Sequence, residues 1–362
     1  MSLIFHEKLS FKLSILETNP DGQNVMPMVS LLINSIQSIM KLIKAFIILL
    51  ACIFAAQAYA EDQVYPHKLV RIVVPNGAGG PTDLIARIMA QKLTESMGQP
   101  FIVENRLGAG GVVGTESVAH APADGYTLLF SASGAMVISP HLNGKLPYNG
   151  YQDFAPIANG AFSPMLLVVG ANSGIQSLAD LIQQAKQKPG QFNYSTAGIG
   201  TPPHLAAEIL RSSAGIDVVH VPYKDVPQAD ASLISGEVNF MFGQPKIANM
   251  VRAGKVRILA ITTPKRSSLL PDVPTLSEAG VPGFDVVPWY GLFAPSRTPD
   301  DIVLRLNTEL QKLQNNKDYV ERMTALGFEI PATHSPAEFS QFLAKENAKW
   351  KKVISQASIK AQ

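Results

Sequence analysis

One cysteine, Cys52, is all the thiol chemistry that this 362-residue chain contains. Without a second cysteine there is no disulfide framework, and a zinc site would lack its usual paired spacing. Charge is also scarce: Asp, Glu, Lys and Arg make up 16% of the chain, and the formal net charge is +2. Nucleic acid calls for a basic field that neutralises phosphates, and an anionic membrane surface calls for a polybasic cluster. Lys and Arg are scattered here, so neither partner is expected. No serine sits in G-x-S-x-G, and neither H-E-x-x-H nor a Walker A pattern occurs, so the hydrolase elbow, the zincin site and the phosphate-binding P-loop have no sequence support. Gly108-Ala109-Gly110-Gly111-Val112-Val113-Gly114 approaches a dinucleotide fingerprint. Its third glycine falls one place late, and the run follows Asn105-Arg106 instead of opening the first βα unit. The chain reads as non-catalytic, with no cofactor and no metal implied. Low-complexity linkers and solenoid repeats are absent too. Hydrophobic residues reach 46%, enough to offset the entropy of ordering a folded body, and the length suits two domains.

The N-terminal region carries an address. Met40-Lys41-Leu42-Ile43-Lys44 is a short basic start, Ala45 to Ala56 is apolar, and Ala58-Tyr59-Ala60 offers small residues at a cleavage site. These are the three parts of a secretory signal peptide, and the apolar run falls short of the roughly 20 residues that a membrane span needs. The expected organisation is an extension at 1–39 ahead of the better start at Met40, a signal at 40–60, and a mature body from Glu61. That body would be nearly neutral and free of cysteine, which suits the oxidising periplasm. Leu49-Leu50-Ala51-Cys52 also resembles a lipoprotein box, so a lipid anchor at Cys52 is the alternative to cleavage after Ala60.

From Val70 onward, short β-branched runs alternate with segments of helical period, the pattern of βαβ units on parallel sheet. Strands are expected at 71–74, 101–103, 127–130, 165–169, 192–194, 218–221, 238–242 and 258–261, with a crossing strand at 286–293. Helices are expected at 83–97, 112–121, 178–186, 204–213, 301–314 and 319–326. A last helix opens on the capping box Ser335-Pro336-Ala337-Glu338, with Phe339, Phe342, Leu343, Trp350, Val353 and Ile354 spaced to dock it. Two α/β lobes result, one built from 61–165 plus 286–362 and the other from 166–285, joined by crossing strands.

Each lobe has one glycine-rich turn between a strand and a helix. Such a turn gathers free backbone N–H groups and the positive end of a helix dipole, and can hold an oxyanion without lysine or arginine. In the first, Asn76, Gly77, Ala78 and Gly79 allow close backbone approach, and Thr82 and Asp83 stand at the N-cap. In the second, Thr196, Ala197, Gly198 and Thr201 offer hydroxyls and small residues before His204. Ser131 and Ser133 end another strand, and Gln244 follows one in the far lobe. Each of these also has a plain reading, as turn former, cap or core hydrogen bonder. His204 and Glu208, four apart on one helix face, could share a metal or simply anchor the loop. Asp225 reads as a turn residue that tolerates the left-handed conformation.

Arg71-Ile72-Val73-Val74-Pro75, Val103-Glu104-Asn105-Arg106, Gly108-Ala109-Gly110-Gly111 and Asp124-Gly125-Tyr126-Thr127-Leu128-Leu129 resemble the Bug-type receptors of tripartite tricarboxylate transporters. Leu146-Pro147-Tyr148, His204-Leu205-Ala206-Ala207-Glu208, His220-Val221-Pro222-Tyr223-Lys224 and Pro271-Asp272-Val273-Pro274-Thr275 continue the likeness in order, over essentially the whole mature chain. The resemblance implies a monomeric, periplasmic two-lobe receptor of the Venus-flytrap fold that hands small carboxylates to membrane permease subunits. It further implies that the turns at 76–83 and 195–204 hold one ligand carboxylate, partly through ordered water. The alternatives are a receptor that signals to a membrane sensor kinase, or a periplasmic enzyme. Four positions depart from the family pattern: Asn76 stands where an aromatic residue is frequent, Gly77 where Ala or Pro is, Asp225 where glycine is usual, and Gln244 where an acidic residue is common. A polar lip at Asn76 favours a larger or more polar ligand, and Gln244 favours a carboxylate that bears no amine.

Overall fold

A computed structural model describes residues 31, 34–48, 64–142 and 144–357. It separates into two units, 1–64 and 65–362, each compact in itself. In the first, residues 34–48 are helical and expose Ile36, Ile39, Leu42, Ile43, Phe46 and Ile47. The helix runs through Met40, the expected start of the signal. The cleavage site at 58–60, the box ending in Cys52 and most of the 1–39 extension lie outside the described residues. Among the described residues, no helix is long and apolar enough to cross a membrane.

The second unit holds two five-stranded sheets. The first contains β1 (Val70–Val74), β2 (Phe101–Asn105), β3 (Thr127–Ala132), β4 (Phe154–Phe162) and β10 (Trp289–Pro295), in the order β2-β1-β3-β10-β4. The second contains β5 (Leu166–Gly170), β6 (Phe192–Thr196), β7 (Val218–Pro222), β8 (Phe240–Gly243) and β9 (Val256–Ile261), in the order β7-β6-β8-β5-β9. The two orders are equivalent. In each sheet the first three strands are parallel and the fourth is antiparallel to its neighbours on both sides. Helices α1 (Pro81–Met97), α2 (Val112–Ala119), α3 (Leu178–Gln187), α4 (Pro202–Ala214), α5 (Val226–Ser235), α6 (Ala248–Arg252), α7 (Asp300–Gln314), α8 (Lys317–Ala325) and α9 (Pro336–Ala357) cover the faces.

Strand periodicity sorts the core. On one face of the first sheet, Ile72, Val74, Leu128, Phe130 and Leu292 pack with Ile85, Met89 and Leu93 of α1 and with Leu306 and Leu310 of α7. On the other face, Val73, Leu129 and Phe293 join Val118 and α9. This cluster continues without interruption into the second sheet through Leu167, Tyr194, Phe240 and Phe242. Helix α9 forms the bridge, packing on β4 in one lobe and α4 in the other. Its capping box forms as expected: Ser335 N–H donates to Glu338 at 2.8 Å, and Glu338 N–H donates back to Ser335 Oγ at 3.2 Å. Phe339, Leu343, Trp350 and Ile354 are buried, each contributing on the order of 2 kcal/mol by leaving water. Glu346, also buried, accepts the indole N–H of both Trp289 and Trp350.

The chain passes between lobes at 163–165 and again at 262–288. The two passages are bonded side by side: Ser163 N–H to the Pro288 carbonyl, Met165 N–H to Thr262 Oγ1, Thr262 N–H to the Met165 carbonyl, and Val286 N–H to the Thr262 carbonyl. Contrary to the expected crossing strand at 286–293, β10 lies wholly within the first sheet, and the passage is made by the residues before Trp289. Trp289 is fully buried and paired to β4, so regular ladder pairing starts only there.

Candidate functional site

β1 and β6 hold the same station in their sheets, second from one edge, with β2 or β7 on one side and β3 or β8 on the other. Chain direction reverses its lateral course there, and ligands in open α/β sheets gather outside the carboxyl ends of such strands. The candidate residues fall at those ends: 76–83 after β1, Ser131 and Ser133 at the end of β3, 196–204 after β6, and Gln244 after β8.

In the first turn, α1 begins at Pro81, with Gly80 as N-cap. Thr82 and Asp83 therefore occupy the second and third helical positions and are not the cap. Proline fits the first position because its missing N–H needs no partner there. Asp83, 2% exposed, reaches back to accept Gly79 N–H at 2.8 Å. It also takes Arg87 Nε at 2.9 Å and Asn105 Nδ2 at 2.9 Å. Asn105 Nδ2 donates to the Asn76 carbonyl as well, and Arg87 closes the ring onto Asn105 Oδ1. Burial pushes the Asp83 carboxyl up, but the hydrogen bonds from Arg87, Gly79 and Asn105 outweigh it and hold it below the usual carboxylate range. Asp83 is thus spent on the turn itself. Asn76 through Gly79 form the exposed rim.

In the second turn, α4 starts at Pro202, earlier than expected, and Thr201 is its N-cap. The Thr201 hydroxyl does not cap the helix. It donates to the Gly198 carbonyl at 2.8 Å, joined there by Thr196 Oγ1 at 3.0 Å. Gly198 takes φ +132°, a conformation open to residues without Cβ. Gly200 N–H donates to His204 Nδ1 at 3.1 Å, so His204 is a loop anchor. Glu208 accepts Tyr194 Oη at 2.7 Å and pairs with Arg211 at 2.8 Å. His204 Nδ1 and both Glu208 oxygens are engaged within the fold, and among the described residues no cluster of three metal-ligating side chains occurs. His204 also stacks on His220 with centroids 4.2 Å apart, and Tyr194 stacks on His220 at 4.9 Å. Burial lowers the affinity of both imidazoles for protons. In His220 the neighbouring His204 adds to this and Glu208 opposes it, and the result lies at about 4.

The lobes touch at this edge. A Cβ on Gly200 would lie 2.8 Å from Leu142 Cδ1, which belongs to the helical turn Ser139–Leu142 following β3. The hydroxyls of Ser131 and Ser133 are buried and, among the described residues, meet no partner. Orphaned donors of this kind are costly inside a protein unless something else engages them. Asp225 proves to be the extended N-cap of α5, accepting Gln228 N–H at 2.9 Å, and not a left-handed turn residue. Two surface hollows, of about 500 and 470 Å3, lie elsewhere, one beside His141 and Tyr148 and the other beside Arg87 and Arg322.

Arg87, Asn105 and His220 were not among the sequence candidates. The Asp83–Arg87 spacing of four was a readable signal. The parts played by Asn105 and His220 depend on which strand lies beside which.

Residues 85–359 match the family model for the tripartite tricarboxylate transporter family receptor. Protein BugT of Bordetella pertussis is 34% identical over 305 residues, covering 84% of this chain and 93% of that protein. A Pseudomonas sp. (strain P51) UPF0065 protein from the tcbD-tcbE intergenic region is 37% identical over 292 residues, covering 80% and 86%. Among solved structures, R. palustris Rpa4515 with adipate superposes at a TM-score of 0.74 with 34% identity, covering 82% of this chain and 99% of that one. MatC from Rhodopseudomonas palustris with bound malate superposes at 0.70 with 34% identity, covering 80% and 100%.

Proposed function

The chain belongs to the tripartite tricarboxylate transporter receptor family, and from that premise we propose that it is a periplasmic solute-binding receptor: it captures a small carboxylate between its lobes and delivers it to a membrane permease pair. The observation that carries this reading is the equivalent placement of the two turns. Each follows the same strand of its own sheet, and each precedes a helix whose first residue is proline. Two helix N-termini with their N–H groups then serve one anion. Ser131 and Ser133 add hydroxyl donors from β3, and Gln244 adds an amide from the far lobe. The adipate and malate named for the two superposed structures are of the same chemical class.

The moving bodies are 61–165 with 286–362 and 166–285, hinged where the passages at 163–165 and 262–288 bond to each other. Only a closed form lets both turns touch the ligand, so ligand binding favours closure. The receptor acts as a monomer, exported by the segment at 40–60.

A thermal-shift screen tests the reading, using adipate, malate, aspartate and a series of mono-, di- and tricarboxylates. At a concentration 100-fold above Kd a ligand adds about 2.7 kcal/mol, so at least one acid is expected to raise Tm by several degrees. Malate is expected to outperform aspartate, because Gln244 offers no charge to an ammonium group. If no acid shifts Tm, the receptor reading fails.

A further inference from the structure

In the second turn, the Thr196 hydroxyl lies between two groups that could take its proton. Thr196 Oγ1 lies 3.0 Å from the Gly198 carbonyl and 2.7 Å from His220 Nε2. A hydroxyl has one proton to give. The carbonyl can only accept and already takes the Thr201 proton, whereas His220 Nε2 either gives or takes one; with the Thr196 proton on Gly198, His220 donates from Nε2. His204 Nδ1 accepts Gly200 N–H, leaving the imidazole proton on Nε2. His204 is therefore neutral, and burial beside it lowers the proton affinity of His220, which keeps the two stacked rings, 4.2 Å apart, from repelling. Around the pair, the charged groups are Glu208 and Arg211, which are paired with each other.

The consequence falls on one peptide plane. The Gly198 carbonyl is held by two hydroxyls, from Thr196 and Thr201. In a trans peptide the following N–H points to the opposite side, so the Ile199 N–H is turned away from both hydroxyls. We propose that His220, on β7, is a positioning residue for ligand capture: its Nε2–H commits the Thr196 proton to the Gly198 carbonyl and thereby fixes the outward aim of the Ile199 N–H toward an anionic ligand. The anion part of this role rests on the receptor reading above; the hydrogen-bond order does not.

Three variants separate the proton from the ring. His220→Phe keeps the stack with His204 and Tyr194 but has no donor. His220→Gln loses the ring but keeps an amide N–H near the Nε2 position. Thr196→Val keeps the shape of Thr196 and removes the relay. Calorimetric titration with adipate and malate at pH 7.5 is expected to show about tenfold weaker binding for His220→Phe. His220→Gln should recover to within about threefold of the parent, and Thr196→Val combined with His220→Phe should be no worse than Thr196→Val alone. Wild-type affinity in His220→Phe, or equal loss in the Phe and Gln variants, overturns the proposal. Nitrogen-15 spectra of the ligand-free wild-type protein decide the hydrogen-bond order independently of any variant's folding. A proton on Nε2 of both His204 and His220 is expected, and a proton on Nδ1 of His220 overturns the assignment. Should the wild type bind neither acid, the receptor reading is the one that suffers, while the same spectra still judge the relay.

Discussion

The turns after β1 and β6 do the same geometric job with opposite chemistry. The first is tied by a carboxylate, a guanidinium and an amide: Asp83 gathers Gly79, Arg87 and Asn105 around one buried pair of oxygens. The second is tied by neutral groups alone, two imidazoles and two hydroxyls that exchange single protons. A charged tie is strong where its carboxylate is buried and fails only when that carboxylate is protonated. A neutral relay adds no formal charge to its turn, but it depends on both rings staying unprotonated. Holding a strand-to-helix turn rigid therefore does not require any particular residue class. It requires that each inward donor or acceptor be answered.

Asp83→Ala should cost the most, because it orphans Gly79 N–H, Arg87 and Asn105 together. About 2–3 kcal/mol of stability is expected to go, measured by urea unfolding. Arg87 is half exposed, and Arg87→Ala should cost about 1 kcal/mol or less. Equal losses for the two would mean that the carboxylate is not the centre of the first turn. Next in size is Gly200→Ala. The left-handed backbone there, φ +75°, and the Leu142 side chain 2.8 Å from the new methyl together predict a loss of about 1–2 kcal/mol. Adding Leu142→Ala should return part of that loss if the lobes meet at this point, and none if they do not.

Acidification should separate the turns in order. The folded pKa of His220 is depressed from 6.5 to about 4. Its contribution is complete above pH 6.5 and drains away as pH falls toward 4. Asp83 is depressed below the carboxylate value of 3.8, so its contribution holds down to that pH and is lost only below it. Hydrogen exchange at pH 5 should find Gly200 N–H less protected than at pH 7 while Gly79 N–H keeps its protection. The reverse order would remove the contrast between charged and neutral ties. The smallest effect is expected at Asp230, whose carboxyl burial raises to about 6 with Lys246 opposing. Here the sign is inverted: the cost is present above pH 6 and gone below 3.8. Asp230→Asn should therefore melt slightly above the parent at pH 8 and level with it near pH 4.

Most strands and helices were readable from periodicity, but β4, α5 and α6 were not expected, and two helix starts and the crossing strand were misplaced. α1 and α4 begin at Pro81 and Pro202, two residues ahead of where their apolar stripes suggest, because proline at the first position extends a helix without adding a stripe residue. The run 286–293 was expected to cross between lobes because it is long enough to do so, and length alone does not say which ladder a residue joins. Among site residues, Gly77 and Ala78 were visible as backbone-exposing positions. Thr196, Thr201, Asp83 and His204 lie in or beside the turns, and their polar atoms face inward, a direction set by partners that sequence spacing does not reveal.

Order of elements, identity of the glycine-rich turns, the capping box of α9 and membership in a receptor family were fixed by the amino-acid order itself, since these follow from local conformational preference and from motifs in series. Which groups share the Thr196 hydroxyl, that Asn105 and His220 support turns 29 and 22 residues away (Asn105 to Asn76, His220 to Gly198), and that Leu142 of one lobe meets Gly200 of the other were decided only by the folded structure. Neighbouring parallel strands bring together residues that a helix keeps far apart in the chain, and hydrogen-bond direction is a property of the assembled pair, not of either residue alone.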